Sequence, residues 1–412
     1  STVKQGIFGA MSDGELKWQD AAPAWKEPGF VSEDMAYCPH KDGVDFLVVA
    51  GSGGEILRVA VPTGMAMSRS EIVSKQKGET FRVACADMDR DGENEPVIVG
   101  SRGTVAAFKM EDRIKTVWTK SYKRGAGGTS GLKDETSGIA LGDINGDGYP
   151  EIVFLGDNLV YALDRSGLPI AGFPVKISRG TPVTGFMSDP LLVDVTGDDI
   201  PEILVPSSDG LVYAYTGKGT EVKDQFPLAA GSFEYQDTLG TIYPMSIFVA
   251  DAVPGKKSAG PELYALHRNS LSAFRLRKAN GSAAESHAAW ALPAGGNERT
   301  GYFDASRLGD VEKMEEKDEI SEFFVFPNPV RGGVAKARFE IGAQAKEATL
   351  EFYDITGLCV FKQKMEEPAQ GRNQFENLDL KKLGSAVYTV KLKVKFKSGK
   401  TKQKLYRVGV IK

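Results

Sequence analysis

The sequence predicts an all-β protein in which a β-propeller of about six blades is followed by a small β-sandwich. Three observations support this prediction. They are a repeat of about 50 residues built from short apolar strands, the lack of sustained helical periodicity in residues 1–310, and a change of charge near residue 320. A length of 412 residues also exceeds what one ordinary core supports. We place the propeller at residues 1–315 and the sandwich at residues 316–412.

The net charge changes sign along the chain. Residues 321–412 carry 18 Lys and Arg against 9 Asp and Glu, whereas residues 1–320 carry 33 against 46. The charged stretch 311–320 is therefore interpreted as a linker. The acidic part is a poor candidate for binding nucleic acid, because neutralising phosphates requires clustered Lys and Arg.

No apolar run is long enough to span a membrane, and the start at Ser1 without a signal peptide suggests a processed chain or a fragment.

Three nine-residue segments align without a gap and define the repeat. They are DMDRDGENE at 87–95 (loop 1), DINGDGYPE at 143–151 (loop 2) and DVTGDDIPE at 194–202 (loop 3). Each precedes two short apolar strands, and weaker copies begin at Asp34 and Asp251. The five starts are spaced by 53, 56, 51 and 57 residues, a period that fits a four-stranded propeller blade. A closing blade built from both ends of the chain, from GIFGAMSDGELKW and RTGYFDASRL, would make six. Five or seven blades and an open solenoid remain alternatives.

The spacing of the loops places oxygen-bearing side chains at positions 1, 3, 5 and 9. Hard cations such as Ca²⁺ require six to eight oxygen ligands, partly from carboxylates. The glycine at position 6 (Gly92, Gly148) suits a backbone with positive φ, and Asp199 can also adopt that conformation. The last acid stands at position 9 and a strand follows at once, so the pattern is not an EF-hand. The alternative is that these acids only cap turns.

The three loops resemble the FG-GAP repeats of VCBS-type, integrin-like propellers, whose blades carry a calcium site between their first two strands. The resemblance implies two to three Ca²⁺ ions, with backbone carbonyls as ligands at the seventh position. The implied ligands are Asp87, Asp89, Asp91, Glu93 and Glu95 in loop 1, Asp143, Asn145, Asp147, Tyr149 and Glu151 in loop 2, and Asp194, Thr196, Asp198, Ile200 and Glu202 in loop 3. Because Thr196 is a weaker ligand than Asp or Asn, loop 3 is expected to bind least tightly. The copies at Asp34 and Asp251 lack the middle carboxylates, and no metal is predicted there.

The C-terminal region contains about seven short strands. In residues 388–397, apolar side chains alternate with a row of lysines at 391, 393, 395 and 397, which is the pattern of a half-buried strand. The row is interpreted as a solvated face or a guarded sheet edge in preference to a partner-binding stripe.

This region resembles the C-terminal sorting domains of type IX secretion cargo, which have an immunoglobulin-like fold. The matching elements are PNP at 327–329, YDITG at 353–357, GRN at 371–373, LGSAVY at 383–388 and the basic ending at Lys412. One departure is Ala386, where the family usually has glycine before the V-Y pair. The resemblance implies contact with the secretion machinery and an extracellular or cell-surface location.

Candidate catalytic residues are few. The histidines (His40, His267, His287) lie in no nucleophile elbow or zinc-binding motif, and the glycine-rich stretch 125–131 precedes no predicted helix. Cys38 and Cys85 could form a disulfide or remain buried thiols. The four tryptophans (Trp18, Trp25, Trp118, Trp290) could stack on a sugar, or they could pack between blades.

The function predicted from the sequence is therefore a non-catalytic binding, adhesion or structural assembly module, secreted or at the cell surface and stabilised by calcium. Its partner would be an extracellular protein, a polysaccharide or further copies of the chain, as in a surface filament. The alternative is a polysaccharide-binding or lyase-type protein, since Arg82, Arg102 and Arg124 lie near loop 1 in sequence. An enzyme is the less favoured class, and neither nucleic acid nor a transmembrane segment is expected.

Overall fold

A computed structural model shows two compact units, Ser1–Asp310 and Val311–Lys412. The described residues are 8–10, 16–19, 32–40, 44–61, 66–73, 79–111, 113–122, 137–156, 159–177, 189–207, 210–223, 225–230, 245–250, 261–267, 270–276, 288–290, 301–308 and 317–412. Several features predicted from the sequence lie outside them: Trp25, Arg124, the stretch 125–131, Asp251, His287 and most of the linker.

The first unit is a series of short antiparallel sheets that follow one another along the chain. After the hairpin β1 (Phe8–Ala10) and β2 (Leu16–Gln19), the described residues form five such sheets. Blade 1 contains β3 (Ser32–Cys38), β4 (Phe46–Gly51), β5 (Ile56–Ala60) and β6 (Ala66–Arg69). Blade 2 contains β7 (Phe81–Ala86), β8 (Glu95–Gly100), β9 (Thr104–Met110) and β10 (Ile114–Ser121).

The next three sheets repeat this meander. Blade 3 contains β11 (Ala140–Gly142), β12 (Glu151–Gly156), β13 (Leu159–Leu163) and β14 (Val175–Lys176). Blade 4 contains β15 (Leu191–Val193), β16 (Glu202–Pro206), β17 (Leu211–Tyr215) and β18 (Leu228–Ala229). Blade 5 contains β19 (Met245–Ala250), β20 (Glu262–His267) and β21 (Ser270–Arg275).

The core of this unit lies between neighbouring blades. One apolar cluster joins Val97 of blade 2, Phe154 of blade 3 and Val205 of blade 4. A second cluster joins blades 1 and 2, and a third joins blades 4 and 5. The second strand of blades 2, 3 and 4 is a short apolar run buried along its whole length. Sheets that bury both faces against the preceding and following sheets form a β-propeller, as the repeat predicted.

The final segments of the first unit return to inner strands. β22 (Ala288–Trp290) pairs antiparallel with β15, and β23 (Tyr302–Phe303) pairs in parallel with β7. The backbone N–H of Cys85 donates to the carbonyl of Gly301 at 2.8 Å. Tyr302 and Phe303, expected at the start of a further blade, therefore satisfy the free edge of β7. Within the described residues, β1 and β2 form a two-stranded sheet of their own and β23 joins the sheet of blade 2, so the closing blade drawn from both ends of the chain remains an expectation.

A disulfide joins the first two blades. Cys38 at the end of β3 and Cys85 on β7 are bonded, with their Cα atoms 5.7 Å apart, a usual separation for this link. Of the two alternatives left open by the sequence, the structure therefore shows the disulfide. Cys359 is the free and exposed thiol of the described residues.

The second unit is a small sandwich of two sheets. Its strands are β24 (Ile320–Phe326), β25 (Val330–Arg331), β26 (Val334–Ile341), β27 (Ala345–Tyr353), β28 (Cys359–Glu366), β29 (Gly371–Asp379), β30 (Ala386–Phe396) and β31 (Thr401–Ile411). One sheet has the order β24-β26-β29 and the other β25-β31-β30-β27-β28. Phe339, Phe375 and Leu392 belong to one buried cluster between them. This arrangement is consistent with the predicted immunoglobulin-like sandwich.

Candidate metal centre

The three acidic loops occupy equivalent places in blades 2, 3 and 4. Each begins directly after the first strand of its blade and ends on the first residue of the second strand. The residue at position 6 has positive φ in all three loops, as predicted: 90° at Gly92, 82° at Gly148 and 67° at Asp199. Position 4 also has positive φ, including 61° at Arg90, a feature that the sequence analysis missed.

The same three hydrogen bonds recur in every loop. The backbone N–H of position 6 donates to the aspartate at position 1, that of position 7 to the side chain at position 5, and that of position 2 to the glutamate at position 9. The donor–acceptor distances are 2.9, 2.8 and 2.9 Å in loop 1, 2.7, 2.9 and 3.0 Å in loop 2, and 3.2, 3.1 and 2.9 Å in loop 3. The acids therefore do cap their turns. What distinguishes a metal site from a simple turn is the set of carboxylate oxygens that these backbone hydrogen bonds leave unused.

Loop 1 gathers carboxylates that the turn bonds do not satisfy. Asp87, Asp89 and Glu95 each bring one oxygen to a group whose members all lie within 4.8 Å of one another. Glu95 is only 4% exposed, and its buried Oε1 has no hydrogen-bond partner among the described residues. Burial, and then the negative charge of Asp89, raise the pKa of the Glu95 carboxyl to about 9. A buried carboxylate without a counter-charge is costly, so this donor set fits a hard cation.

A lysine from the third strand of the blade reaches loop 1. The ammonium of Lys109 on β9 lies 2.6 Å from Oδ2 of Asp91 and 3.2 Å from Oδ2 of Asp89. The sequence analysis did not identify Lys109 as part of the loop. The strand register could have revealed it, since Val97 of β8 pairs with Ala107 of β9 and the same register places Lys109 opposite Glu95.

Loop 2 is held together by an amide instead. The Asn145 Nδ2 donates to Oδ2 of Asp147 at 3.1 Å and to Oε1 of Glu151 at 2.9 Å. Glu151 is buried, and burial followed by the charge of Asp147 raises the pKa of its carboxyl well above the ordinary value. Loop 2 therefore also carries a buried carboxylate, and its internal donor is neutral.

Loop 3 has the most complete internal hydrogen bonding. Glu202 accepts from the backbone N–H groups of Val195 and Thr196 at one oxygen and from the Thr196 hydroxyl at the other, at 2.9, 3.1 and 3.0 Å. Burial raises the pKa of Glu202 to about 7. Because both of its oxygens already accept protein donors, a cation gains less here than at loop 1.

The loops form a continuous row across neighbouring blades. Arg90 of loop 1 donates through Nη1 to the carbonyl of Gly148 in loop 2 at 3.1 Å. On the other side, Asn94 donates through Nδ2 to the carbonyl of Pro39 in blade 1 at 2.7 Å. A Cβ added at Gly146 of loop 2 would lie 2.9 Å from Cδ1 of Ile200 in loop 3. The ordering of each loop is therefore linked to contacts between blades.

Two arginines of the lyase alternative, Arg82 and Arg102, lie away from this row. Arg82 is opposite Val99 on the second strand, whereas Ala86 at the other end of β7 is opposite Glu95. Five residues separate Arg82 from Asp87, which is about 16 Å along a strand. Arg102 lies in the turn between β8 and β9, at the same end as Arg82. The structure does not bring these arginines to loop 1.

Two of the four tryptophans, Trp118 and Trp290, pack between elements of the fold. Trp290 on β22 is 1% exposed and belongs to the core between blades. Trp118 on β10 donates through Nε1 to the carbonyl of Arg165 at 2.8 Å, so it bridges blades 2 and 3. For these two residues the structure shows packing and no sugar-binding shelf.

The comparison with known families concerns the C-terminal unit. The family model of the secretion system C-terminal sorting domain matches residues 324–406. Residues 324–406 form such a sorting domain, of the type IX secretion system. The protein is therefore exported to the cell surface or the extracellular space, and the sorting domain implies contact with the secretion machinery. Both points were predicted from the sequence.

Several solved structures align with most of the chain at low sequence identity. They include BamB from Moraxella catarrhalis (11% identity, TM-score 0.35, 98% of both chains), Saccharomyces cerevisiae Sqt1 (11%, 0.41, 93% of this chain and 86% of that one) and the WD40 domain of SCAP from fission yeast (11%, 0.39, 96% and 80%). No curated protein matches the sequence. Within the described residues, no helix has the length and apolar character needed to cross a membrane.

Proposed function

We propose that the propeller is a calcium-stabilised, non-catalytic binding module of FG-GAP type that the sorting domain delivers to the cell surface. The observation that carries this proposal is the group formed by Asp87, Asp89 and Glu95, in which a buried carboxylate oxygen has no partner among the described residues. A divalent cation would supply the missing positive charge and the missing ligand contact at once.

The chemistry of the loops favours calcium over other common metals. The side chains proposed as ligands are carboxylates, an amide and a hydroxyl, all of which bind through oxygen. Oxygen ligands suit Ca²⁺, Mg²⁺ and Mn²⁺ better than zinc or copper. Irregular loops with mixed carboxylate and carbonyl oxygens suit the flexible coordination of Ca²⁺ better than the strict octahedron of Mg²⁺. In loop 1 the side chains of Asp87, Asp89, Asp91 and Glu95 would hold the ion.

The ions would have a structural role. Because the loops of blades 2, 3 and 4 contact one another through Arg90 and Ile200, an ion that orders one loop also orders the contact surface of the next. Loops ordered on a rigid scaffold are where binding residues most often lie. This row is therefore the part of the propeller that we propose as its contact surface, for an extracellular protein, a polysaccharide or another copy of the chain.

Titration of the purified full chain with Ca²⁺ tests the metal assignment. Calorimetry should detect two to three sites, and Glu95→Gln should abolish or greatly weaken one of them. Glu111→Gln is the matched control, since Glu111 is an exposed acid of the same blade that pairs with Lys115. Equal calcium binding by Glu95→Gln and the wild type, or no binding by either, would contradict the assignment.

Capture from the surface fraction of the producing cells tests the binding role. The full chain should retain a discrete protein, a polysaccharide or itself in calcium and release it in chelator. When the protein is incubated with acidic polysaccharides, the absorbance of the unsaturated sugars that a lyase would form should not increase. Sustained turnover of such a polysaccharide would replace this proposal with a lyase.

A further inference from the structure

The residue that faces the final glutamate of each loop from the third strand of the blade differs among the three loops. The register of the second and third strands pairs Val97 with Ala107 in blade 2, Ile152 with Leu163 in blade 3, and Ile203 with Tyr215 in blade 4. Extending each register places a different residue type opposite the final glutamate: Lys109 in loop 1, Asp164 in loop 2 and Thr216 in loop 3. These residues are a cation, an anion and a neutral hydroxyl.

Lys109 is a charged donor to the carboxylates of its own loop. Its ammonium contacts Oδ2 of both Asp89 and Asp91. In loop 2 the Asn145 amide donates to Asp147 and Glu151, and in loop 3 the Thr196 hydroxyl donates to Glu202. A neutral donor satisfies a lone pair but leaves the charge of the carboxylates in place, whereas an ammonium cancels one unit of it.

The compensation that Lys109 provides is incomplete. Its ammonium binds the carboxylates of positions 3 and 5, while Oε1 of Glu95 stays buried with no partner among the described residues. The Lys109 side chain is 33% exposed, and its flexible four-carbon stem can swing into solvent. The geometry therefore allows the ammonium to occupy the loop and also to leave it.

We propose that Lys109 is an internal cation of loop 1, which offsets part of the loop's negative charge when no metal is bound and which Ca²⁺ must displace on entry. The second half of this statement rests on the proposed calcium function. It follows that loop 1 keeps its fold with less dependence on calcium and binds the ion more weakly than its carboxylates alone would. In loop 2 the equivalent place holds Asp164, and the arginines shown to contact that loop reach the Gly148 carbonyl and the Tyr149 ring; we therefore expect loop 2 to depend on the ion more than loop 1.

Lys109→Met tests the proposal in the full chain, because methionine keeps much of the length of the side chain and removes the charge. The expected result in chelator is a lower melting temperature than the wild type. In a calcium titration, we expect the loop 1 site to bind about tenfold tighter or more, since a positive charge a few ångströms from the ion has been removed. Lys115→Met is the matched control, because Lys115 is a surface lysine of the same blade paired with Glu111.

A separate readout for loop 2 shows whether the effect is local. Tyr149 at position 7 of loop 2 can sensitise the emission of bound Tb³⁺, and Tyr149→Phe identifies the part of the signal that comes from this loop. The Tb³⁺ concentration needed for half of this emission should be unchanged by Lys109→Met. An equal shift at loop 2 would overturn a role confined to loop 1.

The remaining outcomes separate the two proposals. If calcium stabilises the wild type and Lys109→Met equally, with equal affinities and equal melting in chelator, the role of Lys109 is overturned and the calcium function stands. If Lys109→Met melts lower in chelator and calcium stabilises neither protein, the calcium function and the displacement are overturned. Lys109 would then be supported as the permanent counter-charge of the loop.

Discussion

Glutamates in the two units of this protein have opposite environments. Glu95 in the propeller is buried among other carboxylates, and its pKa is raised to about 9. Glu351 on β27 of the sorting domain lies between the ammonium groups of Lys362 and Lys391, at 2.9 and 3.1 Å. Hydrogen bonds from Lys362 and from the Tyr353 hydroxyl lower the pKa of Glu351 to about 2.

The difference comes from how each fold distributes charge. In the sheet, the register places Glu351 opposite Lys362 on one side and Lys391 on the other, so this acid has a lysine on both neighbouring strands. The predicted lysine row lies on an inner strand, since β30 pairs with both β31 and β27. It is therefore a solvated face, and the guarded sheet edge also considered from the sequence is wrong. In a nine-residue loop, by contrast, the acids lie close together in sequence and are not paired with lysines along a strand. Loop 1, with Lys109, is intermediate between the two cases.

The largest expected effect of this difference is on melting in chelator. Each calcium site at a hundredfold excess over its Kd stabilises by about 2.7 kcal/mol, so two or three sites should shift the propeller transition by on the order of 10 °C. The sorting domain should not shift. Tryptophan fluorescence follows the propeller alone, because all four tryptophans lie in residues 1–310. Equal shifts of both units, or none, would contradict the comparison.

Sequence reasoning reached the features that are local in the chain. The repeat, the positive φ at position 6 of each loop and the alternation of buried and exposed residues on β30 all follow from spacing and residue type. The sorting domain was equally visible, because its motifs are contiguous. The fold class could therefore be predicted before any coordinates were available.

Features that depend on pairing between distant residues were not fixed in advance. The Cys38–Cys85 disulfide was one of two open alternatives, because spacing alone does not show which strands are adjacent. Lys109 was overlooked because it is fourteen positions after Glu95 and reaches loop 1 only through the hairpin register. The parallel pairing of Tyr302 and Phe303 with β7 depends on an edge that the sequence does not mark.

The next effect is a pH dependence of opposite sign in the two units. Glu95 has its pKa raised from 4.5 to about 9, so the folded metal-free propeller binds a proton that the unfolded chain has released. Its stability in chelator should fall as the pH rises from about 5 towards 9. For Glu351, lowered from 4.5 to about 2, the contribution to stability is present above about 4.5 and is lost as the pH falls towards 2.

Calorimetric melting between pH 3 and pH 9 measures both slopes. The transition that coincides with the change in tryptophan fluorescence belongs to the propeller, and the transition without a tryptophan change belongs to the sorting domain. Saturating calcium should remove the fall of the propeller at high pH, because the ion binds the ionised carboxylates. A propeller in chelator that gains stability between pH 5 and pH 9 would show that Glu95 is not buried without a counter-charge.

The smallest expected effect is that of removing one acid from the balanced sheet. Glu351→Gln leaves Lys362 and Lys391 without their carboxylate and should destabilise the sorting domain by at most about 1 kcal/mol, because the pairs are partly exposed and screened by solvent. The loss should shrink in high salt. Glu322→Gln on β24 is the matched control, an exposed acid on the other sheet. Equal melting of the two variants at low salt would show that the opposite charges paired across β27, β28 and β30 do not stabilise the sorting domain. Loss of stability confined to Glu351→Gln would show that a sheet can provide by strand pairing the counter-charge that we propose the loops obtain from calcium.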